Sequence, residues 1–292
     1  MNLFLKLFII VSLFFMTGCT QKKEQTLKIS INSWIGYAPF FYLHKTGQLQ
    51  KLGFELIFNV SLAESADVYS VGKAQLVTTT QHEYDYLKKT TNDIYPVILI
   101  DRSNGGDMIL SNKTIQELQT AESIDAYLET DSINAEMIKA FITKNNLNID
   151  KINFFNKDQL KIQNIKNDPK RNIIIVTYTP YDASLKKKKF FEVASTKDIR
   201  SLLVIDALCA KKIVITKHYD KLVELKKSID KAIEIINENP KHSYKYIQQY
   251  LGELTYDEFL SSLKMIKWIN HPSKELLKEI KQLGYEEKTL IQ

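Results

Sequence analysis

The sequence has few of the residues that build most catalytic and metal centres. It contains two cysteines and five histidines among 292 residues. No two histidines have metal-ligand spacing, and neither Cys-x-x-Cys nor His-Glu-x-x-His occurs. The glycine motifs that bind dinucleotides and phosphates are missing, and so is the Gly-x-Ser-x-Gly turn that carries a serine nucleophile. The residues therefore predict no catalytic centre, no metal site and no cofactor.

Cysteine chemistry is correspondingly limited. The two cysteines, Cys19 and Cys209, do not form a disulfide framework. Cys209 lies between the apolar residues Leu208 and Ala210, and no base that could activate its thiol is recognisable in the sequence. We expect Cys209 to be a buried, inert thiol.

No segment has the charge pattern of a nucleic-acid-binding protein. The net charge of +6 is spread along the chain, apart from the run Lys186–Lys189. Such a run is more typical of a solvated helix end than of a nucleic-acid patch. We therefore expect no nucleic-acid partner.

The N-terminus has the organisation of an export signal. Lys6 precedes the apolar run Leu7–Met16, and small residues precede Cys19. That run is about half of the roughly 20 residues that span a bilayer, so a transmembrane anchor is the second choice. Met16–Cys19 resembles a bacterial lipobox. The resemblance implies a signal peptide at 1–18, a lipid on Cys19 that anchors the protein to the outer side of a bacterial membrane, and a tether at 19–26. Ordinary secretion with cleavage nearby is the alternative.

Alternating strands and helices predict an α/β fold. Leu27–Asn32 alternates apolar and polar residues as a half-buried strand does, and Phe40–Thr46 is predicted to be helical. Phe54–Val60 is a second predicted strand. The pattern restarts after about residue 110, with strands at Ile124–Leu128 and Asn172–Thr177. This βαβ alternation predicts mainly parallel sheets.

The C-terminal third predicts a chain that returns to its first unit. Arg200–Ile215 is apolar and predicted to be rich in strand, and the chain from His218 onward is predicted to be helical to its end. The helices cannot form a core alone, so we expect them to pack on the first unit. The expected domains are a first lobe at 27–108, a second lobe at 109–203 and a return to the first lobe at 204–292.

Polar and aromatic residues follow several predicted strands. In α/β sheets, ligands bind beyond the carboxyl ends of the strands. Trp34 and Tyr37 follow the first strand and can line a pocket, although both can equally be core residues. The loop at Ser103–Asp107 contains the chain's only glycine pair and can hold a ligand or simply form a crossover turn. Thr130–Ser132 precedes a helix whose free N–H groups can bind an anion or be capped by their own side chains.

Five stretches carry a resemblance to a known family. They are Trp34–Pro39, followed by a helix and Gly47; Thr78–Thr80; Asp101–Asp107; Thr177–Tyr181; and Leu203–Asp206. In their order and spacing they resemble the periplasmic substrate-binding proteins of ABC importers, in the group that includes nitrate-, sulfonate- and thiamine-precursor-binding proteins. Thr179, Ile205 and Gln75 depart from that family's glutamate, proline and aspartate, which puts the identity of the ligand in doubt.

The resemblance implies an α/β, two-lobed, type 2 periplasmic-binding-protein (clamshell) fold that closes on a small molecule. It implies a monomer without catalysis or cofactor, which delivers its ligand to a membrane permease and ATPase. The matching positions that would line the cleft are Trp34, Tyr37, Thr80, Ser103, Asn104, Asp107, Ser132, Asn134, Tyr178 and Asp206. These side chains include two acids and no lysine or arginine, which favours a neutral heterocycle or an amine over a sulfonate or nitrate, although Arg102 or His82 can also face inward.

Two other functions are compatible with the same sequence. A ligand-sensing lipoprotein would present its bound molecule to a membrane receptor. An enzyme on the same fold, such as one that makes a thiamine pyrimidine, would work inside the cell, and the export signal opposes that alternative.

Overall fold

The computed structural model describes residues 25–199, 202–252 and 254–291. The predicted signal peptide, the predicted lipidation site Cys19 and tether residues 19–24 lie outside the described residues. Two separate β-sheets organise the described chain.

The first sheet has six strands, in the order β11-β4-β10-β3-β1-β2. These strands are β1 (Leu27–Asn32), β2 (Phe54–Asn59), β3 (Leu76–Thr79), β4 (Tyr95–Ser103), β10 (Ile205–Ala210) and β11 (Ile266–Trp268). Strand β1 runs parallel to β2 and β3, whereas β10 runs antiparallel to both β3 and β4. The start of β10 therefore lies at the edge where β3 and β4 end.

The second sheet has five strands, in the order β7-β6-β8-β5-β9. These strands are β5 (Asp107–Ser111), β6 (Ile124–Leu128), β7 (Ile152–Asn156), β8 (Ile173–Tyr178) and β9 (Phe191–Ser195). Strand β6 is parallel to β7 and β8, and β5 is antiparallel to β8. The chain enters this sheet at Asp107 and leaves it after Ser195, so it passes twice between the sheets. The domain boundaries given above stay predictions.

Helices cover both faces of each sheet. They are α1 (Ala38–Lys45), α2 (Gln48–Lys51), α3 (Leu62–Ser70), α4 (Gln81–Thr91), α5 (Ile115–Thr120), α6 (Ile133–Lys144), α7 (Gln159–Ile162), α8 (Asp182–Lys187), α9 (Lys212–Lys217), α10 (Tyr219–Glu238), α11 (Pro240–Ile247), α12 (Tyr256–Leu263) and α13 (Lys274–Gln282). Helix α12 begins with a capping box formed by Thr255 and Glu258. Among the described helices, none is long and apolar enough to cross a membrane.

Strand alternation divides each lobe into two apolar cores. Successive side chains of a strand point to opposite faces of its sheet. In β8, Ile174 and Val176 join a core that α5 and α6 cover, while Ile173 and Ile175 join a core on the other face. Strand β10 likewise sends alternate side chains into the two cores of the first sheet. Its Cys209 is buried, as predicted, and burial raises the pKa of that thiol to about 12.

Three predictions about secondary structure are wrong. The sheets are mixed rather than mainly parallel, because β5 and β10 run against their neighbours. The helical tail contains β11, a three-residue strand whose pairing with β4 no local sequence pattern signals. The β-branched run within Lys212–Lys217 forms α9 rather than a strand, and its Ile215 packs into the first core.

Adjacent phenylalanines test this account of the second lobe. Phe190 is buried in the core that contains Ile173 and Ile175, whereas Phe191 is 43% exposed. Phe190→Ala should lower the free energy of unfolding by about 3–5 kcal/mol. Phe191→Ala is the matched control and should stay within about 1 kcal/mol of the wild type, because little apolar surface is uncovered. Urea denaturation measures both, and equal losses would contradict this packing.

Candidate ligand-binding site

The strand ends of the two sheets meet across a buried polar region. Asn32 is the last residue of β1 in the first sheet, and Tyr178 is the last residue of β8 in the second. The Asn32 amide N–H donates to the Tyr178 hydroxyl over 3.2 Å. The Trp34 ring stands edge-on to the Tyr178 ring, with 5.9 Å between centroids. These contacts join the two lobes at the edge where ligands bind in α/β sheets.

Antiparallel strands add their first residues to the same edge. Asp206, near the start of β10, pairs in register with Asp101 near the end of β4. Asp107, the first residue of β5, pairs with Tyr178. All three aspartates are buried. The mixed strand direction that the sequence did not predict is what brings these acids to the site.

Trp34 and Gly36 fix the position of Asp101. The Trp34 indole N–H is shared between the two carboxyl oxygens of Asp101, at 3.3 and 3.2 Å. A Cβ on Gly36 would lie 1.9 Å from an Asp101 oxygen, so only glycine leaves room for this contact. Burial raises the pKa of Asp101 well above its usual value, the indole bond opposes that rise, and repulsion from Asp107 adds to it.

Tyr37 and Asp206 form a second buried pair. The Tyr37 hydroxyl donates to the Asp206 carboxyl, and both side chains are buried. Burial raises the pKa of Asp206 well above its usual value, and repulsion from Asp101 raises it further, while the Tyr37 bond opposes the rise. Trp34 and Tyr37 are therefore both core residues and part of the polar region.

Thr80 and Ser132 begin helices that meet between the lobes. Thr80 forms a capping box with Glu83 at the start of α4, and the Ser132 hydroxyl accepts the N–H of Asn134 at the start of α6. The other Glu83 oxygen accepts the N–H of Ile133 over 3.2 Å, which ties the first lobe to α6. Thr80 and Ser132 thus cap their own helices, the alternative that the sequence left open at Ser132.

Ser103 and Asn104 hold the crossover between the sheets. The Ser103 hydroxyl lies 2.9 Å from the Thr196 hydroxyl and accepts the N–H of Asp107 over 3.1 Å. Asn104 bonds instead to backbone carbonyls of the loop before β11, with its N–H 2.8 Å from the Met265 oxygen. Ser103 therefore positions Asp107, while Asn104 secures the crossover itself.

Glu129 and Gln159 border the buried polar region on the side of the second lobe. One Glu129 oxygen accepts the backbone N–H of Gln159 over 3.1 Å at the start of α7. The side-chain oxygen of Gln159 accepts the Thr177 hydroxyl over 2.8 Å. Glu129 follows β6 directly and lies close enough to Tyr178 to raise the pKa of that phenol, an effect second to burial.

Buried acids outnumber buried bases in this region. Six carboxyl groups and one lysine are buried among the described residues: Glu83, Asp101, Asp107, Glu129, Asp182, Asp206 and Lys226. Asp182 pairs with Lys186, and Lys226 pairs with Asp230 and the Asn270 carbonyl. The other five carboxyls surround the meeting edge of the sheets. Arg102 is exposed and His82 is partly buried, so neither is among the buried bases.

Burial keeps two of these acids partly protonated near neutral pH. It raises the pKa of Asp107 to about 6 and that of Glu129 to about 8. Repulsion from Glu83 contributes to both shifts, whereas the bonds from Ser103 and Gln159 oppose them. A buried carboxylate with no opposite charge nearby takes up a proton because the neutral form costs less to desolvate.

Several buried polar atoms of the site have no hydrogen-bond partner among the described residues. They are Asn32 Oδ1, Asp107 Oδ2, Glu129 Oε2, both amide atoms of Asn134, and Gln159 Nε2. A buried polar group without a partner costs about 1–3 kcal/mol, so such groups are rare outside functional sites. Their concentration at one edge marks the place where a ligand would bond.

A groove of about 460 Å³ between the lobes borders this region. Ser33 and Phe58 of the first lobe line it, as do Leu160 and Tyr181 of the second. The Tyr181 ring contacts the Tyr178 ring edge-on at 5.4 Å. The groove therefore adjoins the buried residues at the seam between the lobes.

Solved structures with a similar fold include binding components of import systems and periplasmic binding proteins. A ligand-binding component of an ABC-type import system from Staphylococcus aureus, with zinc bound, has a TM-score of 0.70 at 13% identity, covering 89% of this chain and 91% of that chain. The aliphatic sulphonate binding protein SsuA from Escherichia coli has a TM-score of 0.69 at 13% identity, covering 89% and 90%. The nitrate-binding protein NrtA from Synechocystis has a TM-score of 0.63 at 10% identity, covering 80% and 69%.

The chain has the periplasmic-binding-protein fold. The predicted α/β class and two-lobed architecture are confirmed. No protein-family profile and no curated protein sequence matches the chain. At identities this low the likeness establishes the fold, and the ligand has to be argued from the site itself.

The predicted site residues are only part of the buried region. Trp34, Tyr37, Asp107, Asn134, Tyr178 and Asp206 lie in it or point toward it, whereas Thr80, Ser103, Asn104 and Ser132 support it. The sequence did not single out Asn32, Glu83, Glu129 or Gln159. Asp101 and Thr177 stood out there only as the first residues of two motifs. Local sequence patterns could have indicated four of these six residues. Three lie at or next to strand ends, namely Asn32, Glu129 and Thr177. The fourth, Glu83, completes a capping box with Thr80.

The raised pKa values predict how stability depends on pH. The folded ligand-free protein holds protons on Asp107 and Glu129 that the unfolded chain releases, so its free energy of unfolding should fall as pH rises from about 4 to about 8. Asp107 alone accounts for on the order of 3 kcal/mol. Asp107→Asn and Glu129→Gln should flatten the decline in urea denaturation at a series of pH values.

The exposed Glu122→Gln serves as the control, because it removes a carboxyl outside the buried region and should keep the wild-type decline. A wild-type stability that rises between pH 5 and pH 8, with no difference between the variants, would contradict these shifts.

Proposed function

We propose that this protein is the extracytoplasmic solute-binding component of an ABC importer. It captures a small polar molecule between its two lobes, without transforming it, and delivers it to a membrane permease. The lipid on Cys19 and the export signal at 1–18 belong to the same proposal, since an importer's capture protein works on the outer side of the membrane.

The observation that carries this proposal is the buried polar region where the strand ends of both sheets meet. Asn32 and Trp34 from the first lobe contact Tyr178 from the second, so the site is complete only when the lobes are together. Unpartnered polar atoms on both lobes face the same seam. A ligand that bonds to both would favour the closed arrangement by the difference in its affinity for the closed and open forms.

The fold neighbours support the same function. Their printed descriptions concern an ABC-type import component and periplasmic proteins that bind sulphonate and nitrate. Two lobes joined by two crossovers suit capture and release, because a hinge in such connections absorbs the motion. The groove at the seam is lined by Tyr181, whose ring contacts the Tyr178 ring of the buried polar region.

A thermal-denaturation screen against small amines, sulfonates, nitrate and neutral heterocycles tests this function. A ligand of the folded state should raise the melting temperature, through about 2.7 kcal/mol of stabilisation at a hundredfold excess over its Kd. X-ray scattering should then show a smaller radius of gyration with that ligand. A screen without any stabilising compound would count against a solute-binding role.

Tyr178→Phe tests where the ligand binds. The substitution removes only the hydroxyl that accepts the Asn32 bond, so the affinity of a stabilising compound should fall by roughly tenfold. Tyr219→Phe is the matched control, because Tyr219 is 53% exposed and should leave the affinity unchanged. Equal affinities in the two variants would place the ligand elsewhere.

A further inference from the structure

The helix N-termini of the site are already occupied by the protein's own carboxyls. Glu83 accepts the N–H of Ile133 at the start of α6, and Glu129 accepts the N–H of Gln159 at the start of α7. The Ser132 hydroxyl accepts the next N–H of α6, from Asn134. An anion would normally use these N–H groups, so the positions that favour negative charge are filled.

Among the described residues, the site's other buried ionisable side chains are carboxyls and phenols rather than bases. After burial, repulsion from Asp107 raises the pKa of Asp101, and repulsion from Asp101, Asp107 and Glu83 raises that of Asp206. Repulsion from Glu83 also raises the pKa of Asp107. Among the described residues, the one buried lysine, Lys226, is paired with Asp230 on α10. An anionic ligand would meet carboxyl groups that are either protonated or of like charge, and no buried cation among the described residues would attract it.

The unpartnered atoms show what kind of hydrogen bonds a ligand must make. Asn32 and Asn134 each present an amide oxygen acceptor, and Asn134 and Gln159 each present an N–H donor group. Asp107 and Glu129 each present a carboxyl oxygen, which accepts once the carboxyl has released its proton. Each of these side chains is at most 4% exposed. The acceptors include two carboxyl oxygens, so a donor-rich molecule would satisfy most of the site.

We infer that the ligand is a small organic cation that donates several N–H hydrogen bonds, such as an ammonium, amidinium or guanidinium compound. This inference rests on the proposed function and names the ligand class of the same site. Its positive group bonds to Asp107 and Glu129, and its polar remainder reaches the amides of Asn32, Asn134 and Gln159. The Trp34 and Tyr178 rings add attraction for a cation.

Two other cations suit the site less well. A bare metal ion has no use for the N–H groups of Asn134 and Gln159, which cannot coordinate it. A quaternary ammonium has charge but no N–H donor, so it would leave the four acceptors unpartnered. An organic N–H cation satisfies the charge and the acceptors, and an acceptor atom elsewhere in the same molecule would satisfy the N–H groups of Asn134 and Gln159.

Binding of a cation also explains how the acids tolerate burial. Without a ligand, Asp107 and Glu129 take up protons because burial raises their pKa values to about 6 and about 8. A bound cation supplies the positive charge that the protons otherwise provide. The ionised carboxyls therefore destabilise the ligand-free protein, whereas in the complex they bind the cation.

Calorimetric titration of the purified chain with charge-matched probes tests this inference. The cations are butylamine, benzamidine and N-methylguanidine, and their neutral counterparts are butanol, benzamide and N-methylurea. Benzoate, butanesulfonate and nitrate are the anions, while tetramethylammonium and zinc ion are cations without N–H donors. At least one N–H cation should bind about tenfold or more tightly than its neutral counterpart.

Two variants test whether the cation binds at Asp107 and Glu129. Asp107→Asn and Glu129→Gln should each weaken binding of that cation by tenfold or more, while the exposed Glu122→Gln leaves it unchanged. Both site variants remove a costly buried charge, so their melting temperatures without ligand should be at least those of the wild type. A loss of binding therefore cannot be ascribed to unfolding.

Other outcomes separate this inference from the proposed function. An anion or a neutral probe that binds at least as tightly as its cationic counterpart overturns the cation inference and leaves the solute-binding role standing. Tighter binding of tetramethylammonium or zinc ion overturns it in the same way. The absence of binding by every probe contradicts the proposed function, and the inference fails with it.

Discussion

Burial of five carboxyl groups, with no buried basic side chain beside them among the described residues, is the constraint on which the rest of the site depends. Such groups are costly unless they are neutralised or hydrogen-bonded. Trp34 and Tyr37 each satisfy one aspartate, and Glu83 and Glu129 each accept the first N–H of a helix. Loops, helix starts and strand ends are thus arranged around acids that the fold brings together.

The sheet topology explains why the acids converge. Parallel strands deliver their ends to one edge, and β5 and β10 run the other way, so that their first residues reach that edge as well. The chain passes between the lobes beside these same residues. A change in the angle between the lobes would therefore alter the Asn32–Tyr178 contact and the Glu83–Ile133 contact directly.

The sequence predicted the two-lobed α/β fold because strand alternation and helix periodicity are local signals. The order of short motifs along the chain also singled out Trp34 and Asp206, which both lie in the buried polar region, and their part in binding stays a prediction. The sequence did not reveal β11 or the direction of β5, because strand pairing depends on distant partners. Glu83 was recognisable locally as a cap, but its bond to Ile133 arises only when two lobes meet.

The protonation state of the buried acids is the measurement that tests this account most directly. Infrared spectroscopy of the ligand-free protein at neutral pH resolves the carbonyl stretch of protonated carboxyl groups. The account predicts such a band, decreased in Glu129→Gln and unchanged in Glu122→Gln, because burial raises the pKa of Glu129 to about 8. A spectrum without protonated carboxyls at neutral pH would show that the acids are solvated or paired, and would contradict a buried acidic site between the lobes.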